Sequence, residues 1–379
     1  MFILIFILIL GLLVILHEFG HFIVAKRSKI KVEEFGIGLP PRIWGKKIGE
    51  TIYSVNWLPI GGFVRLKGED PTDKGANEKD SFYVKPVGTR ILVVTAGVIA
   101  NFLIGVILFY LIAFAVGFKF DLPLLVDHKF RFTQQVNTPV IVGVEENSPA
   151  KSAGLKEGQI ITSVNNNQIE SIDELQKIVR ENAQKEVNIV VRDSAGNKQE
   201  IKVTPRKVSE DQGPLGVALS EVATIEYKTL PQKALVGFSH SINTVEYSGK
   251  IFYNLVKVAI AQRTAEPISS GVAGPVGIAQ LTNQVVQLGT IATLQFAALL
   301  SLNLAVMNLL PIPALDGGRF AFLVVEAITR KRIYPKIEKI VHTAGFFILI
   351  TLILVVTAND INRFLAGKAL FEKFSDLIK

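Results

Sequence analysis

The sequence predicts a polytopic α-helical membrane protein with four transmembrane helices, a membrane-associated β element and one inserted α+β domain. Two observations carry this prediction. Hydrophobic residues make up 49% of the 379 residues, and the mean hydropathy is positive at +0.38, which is too apolar for an ordinary soluble protein of this size. Uncharged stretches also recur along the chain, and the longest exceed the roughly 20 residues with which a helix crosses a bilayer.

The composition excludes several functional classes. The chain contains no cysteine, so disulfides, cysteine-ligated zinc and a cysteine nucleophile are all excluded. The formal net charge is +8. In a membrane protein such an excess is typical of basic loops that fix the topology and touch anionic membrane lipid. Because no basic patch is interleaved with aromatic residues, we expect no nucleic acid among the partners.

Four apolar segments are predicted to span the membrane, with boundaries at 1–31, 88–118, 289–318 and 340–359. The first lacks the charged start and the small-residue cleavage site of a signal peptide, so we expect a retained helix. The third follows a Gly/Pro-rich stretch and is expected to be helical up to about Leu310.

Basic residues predict the orientation of these spans. The stretch KRSKIK follows the first span directly, and the loop at 319–339 is rich in Lys and Arg. Both segments should therefore be cytoplasmic. The N-terminus, the long 118–288 segment and the C-terminal tail at 360–379 then lie outside the cytoplasm.

Residues 32–87 are predicted to form a cytoplasmic β region that associates with the membrane. Short strands separated by Gly and Pro are indicated between residues 32 and 67. Trp44, Trp57 and Phe63 make the segment apolar for a loop. Because strands at membrane depth must satisfy their backbone groups internally, we expect a small sheet that dips into the cytoplasmic side.

Residues 136–206 are predicted to form a compact α+β domain. Its strands flank a helix at SIDELQKIVREN, where Ser171 and Glu174 have the spacing of a capping box. A hairpin is expected around SAGN at 194–197. Residues 207–288 are predicted to be a linker that contains a helix at about 231–262, and its apolar periodicity favours a position on the outer membrane surface.

Ionisable residues in the first span predict a metal site. The stretch VILHEFGHFIVA at 14–25 places His17 and His21 four residues apart, on one face of a helix. Two imidazoles one turn apart can share a zinc ion, and Glu18 can take a proton from a water molecule that the metal activates. A chance match is the alternative. It is disfavoured because ionisable groups inside a membrane are costly and usually functional.

A third protein ligand is expected from elsewhere in the chain. Asp316 lies at the cytoplasmic end of the third span, at the same depth as His17 and His21. Pro311 and Pro313 break the helix just before it. Asp316 could instead be a turn residue, since Asp-Gly is a common turn pair, and topology does not exclude a ligand at His342. The need of the two histidines for a ligand at this depth favours Asp316.

The chain resembles the site-2 protease family of intramembrane metalloproteases, and most closely its bacterial RseP-like branch. The resemblance rests on the His-Glu-x-x-His motif at 17–21, on NLLPIPALDGG at 308–318 and on one intervening PDZ-like domain. Three further stretches resemble family segments: GVIAN at 97–101, SGVAGPVGI at 270–278 and the β element GGFVRLKGE at 61–69.

The resemblance implies a role for each site residue. His17, His21 and Asp316 would be the zinc ligands, and Glu18 the general base. Asn308 would orient the substrate or stabilise the developing oxyanion. Further substrate contacts are expected at Gly61, Gly62, Phe63, Val64 and Asn101. An interhelical hydrogen bond is an equally good explanation of Asn101.

The resemblance also implies a function. It points to a zinc endopeptidase of the bacterial cytoplasmic (inner) membrane that cleaves single-span proteins after a first protease has removed their outer domain. Membrane-bound anti-sigma factors and remnant signal peptides are plausible substrates. The PDZ-like domain would bind peptide or exclude intact ectodomains by size. The best-known relatives carry two such domains, so the single one here leaves the substrates open.

Two other functional classes remain as alternatives. One is an inactive membrane scaffold that binds peptide through its PDZ-like domain, against which the intact Glu18 argues. The other is a metal transporter, which would need polar residues through the depth of several spans. The second and fourth spans are nearly bare of them.

Overall fold

The computed structural model describes residues 2–70, 72, 74–193, 197–207, 213–264 and 271–365, apart from the side chains of residues 2, 3 and 60. Most of the predicted SAGN turn, Ser270 and the tail beyond residue 365 lie outside the described residues. The chain divides into two compact units. Within the described part, the first unit contains residues up to Ile112, His240–Val245 and those from Ala259 onward; the second contains Ala113–Ser239 and Glu246–Val258.

Four helices among the described residues are long and apolar enough to cross a membrane. They correspond to the four predicted segments, although the last helix is longer at both ends than its prediction of 340–359. Their bounds are Phe2–Arg27 for α1, Val87–Ala115 for α2, Thr290–Leu309 for α8 and Pro335–Leu365 for α10.

Small residues let α1 and α2 approach closely. A Cβ atom built on Gly20 of α1 would lie 2.5 Å from the carbonyl oxygen of Ala96 and 2.8 Å from the Cβ of Ala100. Transmembrane helices gain their contact energy from such close packing, because lipid supplies no hydrophobic drive between them. The same face of α1 carries the two histidines toward α2.

The β element consists of two long antiparallel strands, β1 at Val32–Ile48 and β2 at Thr51–Leu66. Residues 34–37 of β1 pair on both sides, with 52–55 and with 62–65 of β2. The predicted short strands are therefore segments of two long, bent strands. The segment Gly62–Leu66 forms one edge of the resulting sheet. Glu34 is only 2% exposed and accepts a 3.0 Å hydrogen bond from Arg42 Nε, so its buried charge is paired.

The first unit also contains two shorter helices, α7 at Pro275–Gln287 and α9 at Asp316–Thr329. The start of α7 has no capping side chain of its own. Asp360 of α10 takes that role and accepts a 2.8 Å hydrogen bond from the Gly277 backbone N–H. A carboxylate at a helix N-terminus accepts a hydrogen bond from a backbone N–H that has no partner within the helix, and its charge interacts favourably with the helix dipole.

The second unit contains an antiparallel sheet in the order β3 (Lys119–Leu124), β9 (Val217–Glu226), β4 (Gln134–Val144), β5 (Ile160–Val164), β7 (Val187–Arg192) and β8 (Lys198–Val203), while β6 (Asn167–Gln168) pairs with β5. It also contains the helices α3 (Pro149–Ala153) and α4 (Ile172–Glu181). Its core is a cluster of buried aliphatic side chains that includes Ile141, Ile161, Ile189 and Leu175. Ser171 caps α4 as predicted, accepting from the Glu174 backbone N–H.

This sheet extends beyond the predicted domain of 136–206. The strand β9 lies in the segment predicted as a linker, yet it pairs with β4 on one side and with β3 on the other. The backbone N–H of Tyr227 donates to the carbonyl oxygen of Phe118 at 3.0 Å, so the entry and exit of the sheet are neighbours. The short helix α5 at Leu230–Ala234 and the long helix α6 at Val236–Gln262 follow, the latter within the predicted 231–262.

Candidate metal centre

Three side chains from distant parts of the sequence converge on one point. His17 and His21 lie one turn apart on α1, and Asp316 is the first residue of α9. Asp316 Oδ2 lies 3.0 Å from His17 Nε2 and 3.2 Å from His21 Nε2, and the two Nε2 atoms are 3.2 Å apart. The histidines are 6% and 9% exposed.

This donor set fits a zinc ion. The three potential ligand atoms all lie within 4.8 Å of one another, as a shared metal requires. Two imidazoles and one carboxylate are a usual set for catalytic zinc, and they leave a coordination position open. The structure thus groups Asp316, rather than His342, with the two histidines.

A sharp turn between α8 and α9 delivers Asp316. The helix α8 ends at Leu309, before the two prolines, and α9 begins at Asp316 itself. A Cβ atom on Gly317 would lie 2.0 Å from the carbonyl oxygen of Leu310, and one on Gly318 would lie 2.6 Å from that of Ile312. The glycines after Asp316 are therefore required because the turn passes this close to its own backbone.

His342 supports this turn. Its Nδ1 accepts a 3.0 Å hydrogen bond from the backbone N–H of Ala314, two residues before Asp316. Ala314 has a φ of +78°, a conformation that side chains disfavour. One turn along α10, Gly345 leaves room for Pro313, which would lie 2.3 Å from a Cβ atom there. The α10 helix thus holds the loop that presents Asp316.

Helix α2 contacts the other side of both imidazoles. The Nδ1 atom of His21 lies 2.7 Å from the carbonyl oxygen of Val93, and the side-chain amide of Asn101 lies 3.3 Å from Nδ1 of His17. Between them, a Cβ atom on Gly97 would lie 2.3 Å from His21 Nε2. The sequence signalled Gly97 and Asn101 through the GVIAN stretch. It gave no signal for Val93, which acts through its backbone.

Glu18 faces the edge of the β element. Its Oε2 accepts a 3.1 Å hydrogen bond from the backbone N–H of Val64 in β2. A Cβ atom on Gly62 would lie 3.7 Å from Glu18 Cγ, and one on Gly61 would lie 3.4 Å from Val14 Cγ1. The predicted substrate-binding stretch 61–64 therefore runs beside α1 at the level of Glu18. Phe63 fills the space over Gly36, where a Cβ atom would lie 2.4 Å from its ring.

The second predicted catalytic residue, Asn308, lies half-buried in the last turn of α8. Within the described part of the chain no hydrogen bond involves its side chain. The structure thus leaves its amide available for another group, without tying it to the three clustered side chains.

Comparison with known proteins identifies the family. The model of peptidase family M50 matches residues 5–352. The chain belongs to peptidase family M50. It is a zinc-dependent protease and an integral membrane protein, and the resemblance to site-2 proteases is confirmed.

Several bacterial relatives match over nearly their whole length. The chain is 32% identical to the regulator of sigma-W protease RasP of Bacillus subtilis, covering 94% of this chain and 97% of RasP. It is 33% identical to a putative zinc metalloprotease of Clostridium perfringens, covering 95% and 98%. A probable protease of Enterococcus faecalis is 30% identical, with 95% and 98% covered.

Proposed function

We propose that this M50 protease is an intramembrane endopeptidase that cleaves the transmembrane segment of single-span membrane proteins. One observation carries the proposal: three potential metal ligands converge among helices apolar enough to span a membrane, and Glu18 is adjacent. A hydrolytic site in that position has a use only if the scissile bond also lies at membrane depth.

Each residue receives a role from its position. His17, His21 and Asp316 would hold the zinc ion, which would supply Lewis-acid activation of water and of the substrate carbonyl. Glu18 takes the proton of the attacking water and passes it to the leaving nitrogen. Asn308, at the end of α8, donates its amide N–H to the carbonyl oxygen of the scissile bond, where negative charge develops.

The edge of β2 receives the substrate in our proposal. A transmembrane helix must be unwound before a peptide bond can reach a metal, and an added strand holds the unwound segment through its backbone. The stretch Gly61–Val64 offers such an edge next to Glu18. Its two glycines carry no side chain that would keep a substrate backbone away.

The cellular role is proposed by analogy with the relatives. RasP of Bacillus subtilis is named as a regulator of sigma-W, which supports membrane-bound anti-sigma factors as substrates here, with remnant signal peptides as a second group. Cleavage would follow a first cut that removes the outer domain. The PDZ-like domain that we propose at 136–206, within the second unit, would bind substrate peptide or exclude bulky ectodomains.

The proposed orientation places the protein in the bacterial cytoplasmic membrane, with both termini and the second unit outside the cytoplasm. The basic end of α1, with Lys26 and Arg27, supports this orientation. The metal centre then opens toward the cytoplasmic half of the membrane.

Glu18→Gln tests the proposed function. Purified wild type and variant are compared in detergent with a tagged single-span substrate, and the metal content of both is measured. We expect both to hold one zinc per chain, while the variant cleaves about 10²–10⁴-fold more slowly because it lacks the base. Glu50→Gln, at the exposed β1–β2 turn, is the matched control and should cleave as wild type does.

The opposite result is equally informative. If wild type and Glu18→Gln both hold zinc and neither cleaves any of several unrelated single-span substrates, the inactive-scaffold alternative is favoured. Attention would then turn to the peptides that the second unit binds.

A further inference from the structure

We propose that helix α2 orients both metal-binding imidazoles, and that Asn101 is a positioning residue that sets the tautomer of His17 rather than a substrate contact. The inference rests on the proposed metal ligands. Asn101 is fully buried in α2 and contacts His17. The role that we propose for it is distinct from packing between helices.

The two imidazoles use the same nitrogens for the same kinds of contact, although their planes cross at 76°. Each turns Nε2 toward Asp316, at 3.0 Å for His17 and 3.2 Å for His21. Each turns Nδ1 toward α2, where Val93 and Asn101 contact them. A metal at the three-residue cluster therefore binds the Nε2 atoms, and both Nδ1 atoms are left to the protein. Metal-binding histidines commonly use this second nitrogen to fix the ring.

For His21 the partner defines the tautomer. A backbone carbonyl only accepts hydrogen bonds, so at 2.7 Å from the Val93 oxygen, Nδ1 must carry the hydrogen. Neutral His21 then presents a lone pair at Nε2. No other tautomer of the ring both satisfies this contact and binds a metal through Nε2.

For His17 the same requirement falls on Asn101. A metal on Nε2 requires a hydrogen on Nδ1, and that hydrogen needs an acceptor. The Asn101 side chain is fully buried and places its amide nitrogen Nδ2 3.3 Å from His17 Nδ1, while its Oδ1 accepts no hydrogen bond from the described residues. A half-turn of the amide brings Oδ1 onto Nδ1, so that the N–H donates to the oxygen.

The contacts to His21 and His17 come from the same face of α2. Residues 93, 97 and 101 are four apart and share a helix face. Gly97 lies between the two contacts, and a Cβ atom there would fall 2.6 Å from His17 Nε2 and 2.3 Å from His21 Nε2. The absence of a side chain at Gly97 leaves room for both rings beside α2.

The packing of α2 on α8 does not explain the Asn101 side chain. The hydrogen bond between these helices runs from Ser301 Oγ to the backbone oxygen of Asn101, at 2.8 Å. Any residue at position 101 would supply that acceptor. The amide itself is directed to the imidazole, and an amide buried in an apolar helix without such a partner would be costly.

Zinc binding to the apoprotein tests the proposal without reference to proteolysis. Zinc is removed from the full-length protein in detergent, and its affinity is then measured by competition with a chelator. Asn101→Leu keeps the volume but removes the acceptor, and we expect a 10–100-fold weaker affinity, the usual effect of losing such a partner. Asn101→Asp keeps an acceptor for Nδ1–H, and should stay within about threefold of wild type or bind more tightly.

Two controls separate positioning from structure. Ser301→Ala removes the helix–helix bond at the same residue and should leave zinc affinity unchanged. Thermal unfolding of each apoprotein shows whether a variant is folded. With Co²⁺ in place of zinc, the visible spectrum should change for Asn101→Leu and not for Ser301→Ala.

Three results would overturn the proposal. If Asn101→Leu binds zinc as tightly as wild type, Asn101 serves only in packing. If its zinc affinity is unchanged and its KM for the substrate is raised, Asn101 is a substrate contact. An equal loss in Asn101→Leu, Asn101→Asp and Ser301→Ala would make the effect structural. Failure of the proposed metal site itself looks different, because wild type and His17→Ala would then bind zinc equally.

Discussion

At the scale of single residues, the candidate site depends on the lack of a side chain at Gly97 as much as on the clustered His17, His21 and Asp316. Gly97→Ala would force the two imidazoles from their positions, since the new Cβ would lie 2.3–2.6 Å from their ring atoms. We expect zinc affinity and proteolysis to fall at least tenfold, because misplaced ligands lose both binding and geometry. Chelator competition measures the first effect.

Gly88→Ala is the matched control for this prediction. It lies on the same helix, and nothing lies within 4 Å of a Cβ atom built there. Because alanine is a better helix former than glycine, the Gly88→Ala protein should be as stable as wild type or slightly more stable. Wild-type zinc affinity in Gly97→Ala would contradict the close approach of α1 and α2 at the site.

The candidate site was predictable from sequence in part. The spacing of His17, Glu18 and His21 is a local helical pattern, and Asp316 followed from matching depths across the membrane. Asn101 could not be assigned, because a membrane amide packs helices or serves a site equally well. Val93 was out of reach, because every residue has a carbonyl and only the packing shows which one meets a histidine.

At the scale of elements, α10 supports the candidate metal centre without adding a side chain to the cluster of His17, His21 and Asp316. His342→Leu would leave the Ala314 N–H without its acceptor, a loss of about 1–3 kcal/mol if that group stays buried. We expect the turn before Asp316 to loosen, with weaker zinc binding and faster hydrogen exchange in the segment 311–315, where Ile312, Ala314 and Leu315 carry the amide hydrogens. Hydrogen-exchange mass spectrometry on the apoprotein measures the first directly.

His342→Asn distinguishes the hydrogen bond from the ring. The Asn Oδ1 can take the position of the lost Nδ1 and accept from Ala314. Exchange at 311–315 should therefore stay close to wild type in this variant. Equal exchange in the Leu and Asn variants would show that the hydrogen bond does not hold the turn.

A second tie joins α10 to the segment that follows β2. Hydrogen bonds from the Thr72 hydroxyl and backbone N–H, and a 3.0 Å ion pair with Lys339, lower the pKa of Asp70 to about 2. The ionised form is favoured in the folded protein, so its stabilisation is fully present above the ordinary carboxyl pKa near ~4. It is lost as the pH falls from there toward 2.

Asp70→Asn should therefore have a lower free energy of unfolding than wild type at neutral pH. The two proteins should be equally stable in acid. The Asp70 side chain is 35% exposed, so solvent screening limits the difference to about 1 kcal/mol or less. Thermal unfolding in detergent between pH 2 and 7 follows it, with Lys339→Gln as the companion variant. A constant difference across that range would show that the carboxylate does not contribute through its charge.

Elements were predicted where their pattern is local. The four spans, the Ser171 cap and α6 each follow from residues within one helix. The strand β9 was missed because its sequence, VALSEVATIE, alternates weakly and its partners β3 and β4 lie far back in the chain. The strands of the β element were seen as short pieces, since Gly and Pro within them bend the chain without ending the pairing.

At the scale of the whole molecule, every residue proposed for catalysis lies in the first unit. Residues 119–226 can therefore be replaced by a short Gly/Ser linker, because Phe118 and Tyr227 are hydrogen-bonded neighbours. We expect this variant to bind one zinc per chain as wild type does. If the second unit excludes ectodomains by size, it should also cleave substrates that still carry their outer domain.

The predicted domain boundaries supply the matched control. Removing only 136–206 takes away most of β4 together with β5 to β8, and leaves β3 and β9 as an exposed two-stranded remnant. Exposed strand edges promote aggregation, so this variant should give far less monodisperse protein. Equal yields from the two deletions would contradict the observed limits of the sheet.

The meeting of Phe118 and Tyr227 also bears on how such proteins diversify. A domain whose two ends lie side by side can be gained, lost or exchanged by recombination, and the helices on either side need not be rethreaded. A gene could acquire a second copy in tandem at the same joint. Substrate selection could thus change from one lineage to another while the hydrolytic machinery is inherited intact.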